Sequence, residues 1–175
     1  MKITSKKVIG TPPYGELIAA DVVGFDSPYY YFEQSKEIVG VVVVSKGRVL
    51  LNKQFRIPVQ KDVFDLPAGL VEKGESLEEA AKRELEEETG FVADRLIKLG
   101  SFMYHPARST ARCHLFFCDS IQKGKRNLDK TEQIKAVWFD FPSCINKFLE
   151  EGGHDFTMIS GLVMVERYLQ EEKRK

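Results

Sequence analysis

The sequence predicts an α/β or α+β sandwich on three observations. Apolar, β-branched runs fill the first third, one clearly capped amphipathic helix stands in the middle, and two further helical patterns follow more strands towards the end. Periodicity alone does not choose between the two classes. No repeat, low-complexity tract or Pro/Ser-rich linker interrupts the 175 residues, so one domain with an N-terminal extension is expected, divided as 1–33 and 34–175.

Each element has a local reason. Leu17 to Phe25 and Tyr29 to Phe32 are β-branched or aromatic, with turn residues at Pro12-Pro13-Tyr14-Gly15 and Ser27-Pro28. Ile38 to Val44 reads IVGVVVV, the near-continuous apolar run of a strand buried on both faces. Ser45-Lys46-Gly47 turns it into Arg48 to Phe55 as a hairpin. Further strands are expected at Val63–Leu66, Leu96–Tyr104, Cys113–Cys118 and Ile134–Phe139. The central helix begins at Ser76, where Glu79 three residues on completes a capping box. Leu77, Ala81 and Leu85 share one face, and Gly90 sits where a C-terminal cap belongs. Shorter helical patterns run from about Pro142 to Glu150 and from about Thr157 to Gln170.

Composition narrows the function classes. Lys+Arg and Asp+Glu both number 26, so a globally basic surface that coats nucleic acid is not expected, while a local basic patch stays open. No apolar run approaches the roughly 20 residues of a membrane span, and no apolar stretch follows the lysines of MKITSKKVIG as in a secretory signal. Cys113, Cys118 and Cys144 form neither an even disulfide framework nor a C-x-x-C pair, and are read as buried, reduced thiols of a cytoplasmic protein.

The chemistry concentrates in Gly69 to Phe91, GLVEKGESLEEAAKRELEEETGF, where eight Glu face three basic residues. Glu84, Glu87 and Glu88 stand at i, i+3 and i+4, on one helix face. Like charges so close destabilise a helix unless a cation joins them. Hard divalent ions such as Mg²⁺ or Mn²⁺ prefer carboxylate oxygen and retain positions for phosphates. A solvated acidic helix face reads equally well from charge spacing alone.

The fixed positions Gly69, Glu75, Arg83-Glu84-Leu85, Glu87-Glu88 and Gly90 resemble the Nudix box at its full spacing. The resemblance implies a Nudix hydrolase: an α/β/α sandwich with a mixed central sheet, cleaving a nucleoside diphosphate linked to another moiety. It places Glu84, Glu87 and Glu88 on the metal-ligand positions and gives Glu75 and Arg83 a structural role. Gln54-Phe55-Arg56-Ile57-Pro58 and Asp65-Leu66-Pro67-Ala68-Gly69 are similar to segments of the ADP-ribose and nucleoside-diphosphate-sugar pyrophosphatase branch. That likeness implies Arg56 on the substrate phosphates and the Ala68 carbonyl as a metal ligand. It also implies an N-terminal antiparallel β extension acting as a dimerisation arm, with Tyr30 or Phe32 stacking on a base.

Downstream, Tyr104 to Phe116 aligns with the branch more loosely. Ala107 replaces a usual Gly and Ala111 stands where many ADP-ribose enzymes carry Glu, which leaves other nucleotide sugars open. Arg108 adds positive charge for phosphate, while His105 and His114 lack ligand spacing and are read as structural. Thr131 to Trp138 resembles the loop that carries a general base in several members, making Glu132 the first candidate, Asp129 a second, and Glu87 the fallback. The expected activity is metal-dependent hydrolysis of a nucleoside diphosphate sugar by a homodimer, with no nucleic acid or membrane partner. The alternatives are a Nudix enzyme for dinucleotides, coenzymes or RNA 5′ ends, and an inactive nucleotide-binding regulator.

Overall fold

The computed structural model describes residues 1–128 and 132–174. It divides into two compact units, one of Met1–Ile38 with Ser101–Cys113, the other of Val39–Gly100 with His114–Lys175.

The first unit is built on a three-stranded antiparallel sheet of β1 (Ile3–Gly10), β2 (Gly15–Val22) and β3 (Tyr29–Gln34), in that order. β2 stops at Val22, short of the expected Phe25, because Gly24 turns left-handed at φ 86° and Phe25 N–H bonds back to the Val22 carbonyl. β1 has no counterpart among the expected strands. Nearly all of it is exposed, so it carries none of the apolar alternation that marks a half-buried strand.

The second unit rests on a seven-stranded, mixed central sheet. Its members are β4 (Ile38–Ser45), β5 (Arg48–Arg56), β6 (Lys61–Asp65), β7 (Ala68–Leu70), β9 (Ile97–Met103), β10 (Arg112–Cys118) and β12 (Ile134–Asp140). The strand order is β12-β5-β4-β10-β9, with β6 on β5 and β7 on β4. β8 (Phe91–Ala93) and β11 (Ile121–Lys123) form a separate two-stranded ribbon.

Helices cover both faces, which explains the unbroken apolar run of β4. Val39, Val41 and Val43 join Leu50, Phe116 and Cys118 against Ala80, Ala81 and Leu85 of α1 (Leu77–Thr89). On the opposite face Val42 and Leu115 lie against Gly161 of α3 (Phe156–Glu172), and Phe117 meets Tyr168 edge-on at 5.6 Å. Phe148 of α2 (Cys144–Glu151) packs with Phe64 and Phe139 on that same side. Full burial of each large apolar side chain contributes roughly 1.5–3 kcal/mol, so two packed faces fix the layering. Among the described residues no helix is long and apolar enough to cross a membrane.

Candidate functional site

α1 carries the acidic cluster, and its two ends are fixed by local chemistry. Ser76 accepts from Glu79 N–H at 3.2 Å while the Glu79 carboxylate accepts from Ser76 N–H at 2.8 Å, so the capping box closes as expected. Gly90 ends the helix in a left-handed conformation at φ 78°. The carbonyls left unpaired at that end are taken up by the segment 124–127. Gly124 N–H donates to Gly90, Asn127 N–H to Glu87 and Arg126 Nε to Glu88, each to the backbone carbonyl at 2.8–2.9 Å. Arg126 Nη2 also donates to the Ile134 carbonyl at the start of β12. The polar segment 124–127 is thereby docked on α1.

Arg83 organises the loop before α1. Its Nε and Nη2 donate to the two carboxylate oxygens of Glu75 at 2.7 and 3.0 Å, and Nη2 also reaches the Leu70 carbonyl at 3.0 Å. Nη1 bridges Glu84 at 2.8 Å and Glu87 at 3.0 Å. The Glu75–Arg83 pair thus ties loop to helix by a two-pronged, charge-assisted contact. The same guanidinium partly neutralises two of the carboxylates.

Glu84 and Glu88 are the buried members. The Glu84 carboxylate lies directly on Gly69, where a Cβ would stand 2.1 Å from it, so any side chain there would displace that carboxylate. Burial raises the pKa of Glu84, and Arg83 opposes that rise. Glu88 is 6% exposed. Its Oε2 accepts from the Ala68 N–H at 2.9 Å and from Asn52 Nδ2 at 2.8 Å. Burial pushes its pKa well above the usual range, against the Ala68 hydrogen bond, with the charges of Glu84, Asp65 and Glu132 adding to the rise. Ala68 therefore meets the acidic cluster through its N–H, and its backbone lies beside Glu88.

Glu132, the first candidate for the base, is half-buried, and its charge raises the pKa of both Glu84 and Glu88. Asp129 lies outside the described residues. Arg56 pairs with the buried Asp65 carboxylate while its own side chain stays 49% exposed. Burial pushes Asp65 up to about 6, and Arg56 pulls against that shift. Sequence reasoning missed Asp65 as a partner and missed Asn52 altogether. The available signal was a lone Asn after Val49-Leu50-Leu51 in a buried strand. A cleft of ≈ 440 Å³ opens between Arg83, Glu86, Glu87, Lys125 and Asn127.

The remaining candidates gather in the first unit. Arg108 donates to the Tyr30 carbonyl at 3.2 Å and lies over the Tyr29 ring at 5.2 Å. Phe32 pairs through its backbone with Arg108 and Thr110, and the Tyr29 hydroxyl donates to the Ala107 carbonyl. The Tyr30 side chain is half exposed, whereas Phe32 is partly buried.

The second unit's site offers only hard oxygen donors, with three helix carboxylates crowded by Glu132, and that chemistry fits Mg²⁺ or Mn²⁺ better than a soft metal. As the side chains stand, with Arg83 between Glu84 and Glu87, no three acidic, His or Cys groups among the described residues converge on one point.

The ADP-ribose pyrophosphatase of Bacillus subtilis is 37% identical over 99 residues, covering 55% of this chain and 54% of the relative. The chain thus spans about half the length of that curated relative. The methanol dehydrogenase activator of Bacillus methanolicus is 28% identical over 132 residues, 74% of this chain and 69% of that one. A solved structure described as an ADP compounds hydrolase superposes with a TM-score of 0.85 over 99% of this chain and 96% of its own, at 20% identity, a likeness of fold. The NUDIX domain model matches residues 35–157, which hold α1, its acidic cluster and the sheet beneath them, and the chain belongs to that family.

Proposed function

We propose that the protein hydrolyses the pyrophosphate bond of a nucleoside diphosphate sugar, with ADP-ribose as the leading substrate, to a nucleoside monophosphate and a sugar phosphate. The observation that carries this reading is the arrangement of Glu84 on Gly69 and Glu88 on Ala68 N–H, held at the end of a helix braced by the Glu75–Arg83 pair. The ADP-ribose relative and the shared fold support the substrate class.

Glu84, Glu87, Glu88 and the Ala68 carbonyl would hold Mg²⁺ or Mn²⁺. When bound, such an ion neutralises phosphate oxygens and lowers the pKa of water towards neutrality. The protein's own groups do the positioning. Arg56, its side chain half exposed and held at Nη2 by Asp65, is offered to the phosphates. Glu132 takes the proton from the attacking water, and Glu87 stands as the fallback base. Tyr30 and Phe32 supply aromatic surface, and Arg108 a cation, of the kind that binds a nucleobase and phosphate. In-line displacement needs this charge stabilisation and alignment and no covalent intermediate.

The working assembly under this proposal is a homodimer joined through the N-terminal sheet, where Ile3, Val8, Ile9 and Leu17 are exposed in a single chain. The three buried, unbridged cysteines support a reducing, cytoplasmic setting. The test is phosphate release, coupled to alkaline phosphatase, over nucleotide sugars and dinucleotides with each metal. Release from ADP-ribose or another nucleotide sugar supports the reading, and release from dinucleotides alone would replace it.

A further inference from the structure

Asn52 is the anomaly of the central sheet. β5 buries Val49, Leu50 and Leu51 completely, and Asn52 follows them at 1% exposed. Leu50 belongs to the apolar cluster beneath α1, and Asn52, two residues on, shares its face. An apolar residue there would simply extend the core. Instead the amide reaches the acidic cluster: Nδ2 donates to Glu88 Oε2 at 2.8 Å, beside the Ala68 N–H on the same oxygen.

The orientation of this amide is dictated by its partner. A carboxylate only accepts when ionised, so the NH₂ group faces it and the carbonyl turns away. That leaves Asn52 Oδ1 buried with no hydrogen-bond partner among the described residues. A buried amide oxygen without a partner is costly, and such groups are satisfied by a neighbour, a water or a ligand. With Oε2 held twice, Glu88 has Oε1 left to offer.

We propose that Asn52 is a positioning residue of the metal centre. Its Nδ2 and the Ala68 N–H together pin Oε2 of Glu88 and leave Oε1 to face a divalent cation. The inference rests on the reading of Glu84 and Glu88 as cation ligands.

The probe is Mn²⁺ alone, titrated into the free full-length protein and followed by the EPR signal of unbound Mn²⁺. Partners that orient a ligand typically cost 10–100-fold in metal affinity when lost, so Asn52→Leu, close in volume, weakens Mn²⁺ binding by at least tenfold. Melting in EDTA separates this from a structural role: Asn52→Leu melts near the wild type without metal but gains much less from saturating Mn²⁺. Should Asn52→Leu fail to fold, Asn52→Ser, too short to reach Glu88, shows the same loss. Wild-type Mn²⁺ affinity in either folded variant overturns the proposal. Absence of Mn²⁺ binding by the wild type, or full binding by Glu84→Gln, overturns the underlying metal reading and the proposal with it, a pattern distinct from failure at Asn52 alone.

Discussion

Replacing Arg83 with alanine removes the hub of the loop–helix junction, and the structure sets the size of the effect. The guanidinium donates to Glu75, Glu84, Glu87 and the Leu70 carbonyl, and its side chain is 24% exposed. Glu84, 13% exposed beside Arg83 in the intact protein, loses that guanidinium in the metal-free variant. Breaking a buried pair from one side costs about 3–5 kcal/mol. Partial exposure of Arg83 and the option of protonating Glu84 place Arg83→Ala at the lower end, about 3 kcal/mol, or roughly 9 °C in Tm for a chain of this length. Arg83→Lys keeps the charge without the fork and loses about half of that. The sign of the pH dependence follows. Loss of Arg83 raises the folded pKa of Glu84 further above its unfolded value, so the added loss of stability begins as pH rises past the unfolded value and is complete above the folded one. The deficit is therefore larger at pH 8 than at pH 5. Urea unfolding in EDTA at both values measures it, without the screening that guanidinium salt adds. A variant within 1 kcal/mol of the wild type at pH 8, or a deficit that shrinks as pH rises, would refute the hub role.

Three further outcomes are expected. Glu132→Gln lowers kcat at least tenfold with KM and Mn²⁺ affinity nearly unchanged, as for a group used only in the transition state, and an unaltered kcat returns the base to Glu87. Asp65 is raised from 3.8 to about 6 on folding, so the metal-free protein loses stability as pH rises across that window, by about 3 kcal/mol at most; Asp65→Asn flattens this segment of the Tm–pH curve, and an unchanged slope contradicts the assignment. Light scattering at micromolar concentration gives twice the 20.0 kDa chain mass if the N-terminal sheet joins two copies, whereas a single-chain mass rules that dimer out.

Legibility in the sequence tracked how much local chemistry each feature contains. The capping box at Ser76 and the glycine stop at Gly90 involve neighbours within a turn, and α1 forms between them. The run from Ile38 to Val44 announced a strand buried on both faces, and Val41 and Val42 point to opposite layers. By contrast β8 and β11 are three residues long, too short for any period to register. β1 pairs with β2 through its backbone while its side chains stay in solvent, so no burial pattern marks it. Spacing showed Glu84, Glu87 and Glu88 sharing a helix face, but not that Glu88 would be buried between Asn52 and Ala68. That contact joins residues 36 apart and exists only once β5 lies beneath α1. Likewise, Arg56 read as a phosphate ligand from its motif, while its pairing with Asp65 depends on β5 and β6 lying side by side.

The most direct test of the site is product formation from ADP-ribose by wild-type protein and by Glu88→Gln, each with Mg²⁺ and with EDTA. If Glu88 holds the cation that stabilises the leaving phosphate, the wild type yields AMP and ribose phosphate only with metal. The variant, still folded, then loses about a hundredfold or more, in line with the 2.7–4 kcal/mol that a single charge-stabilising group contributes. Turnover that persists in EDTA, or a wild-type rate in Glu88→Gln at limiting Mg²⁺, would contradict a metal-dependent hydrolase built on this helix.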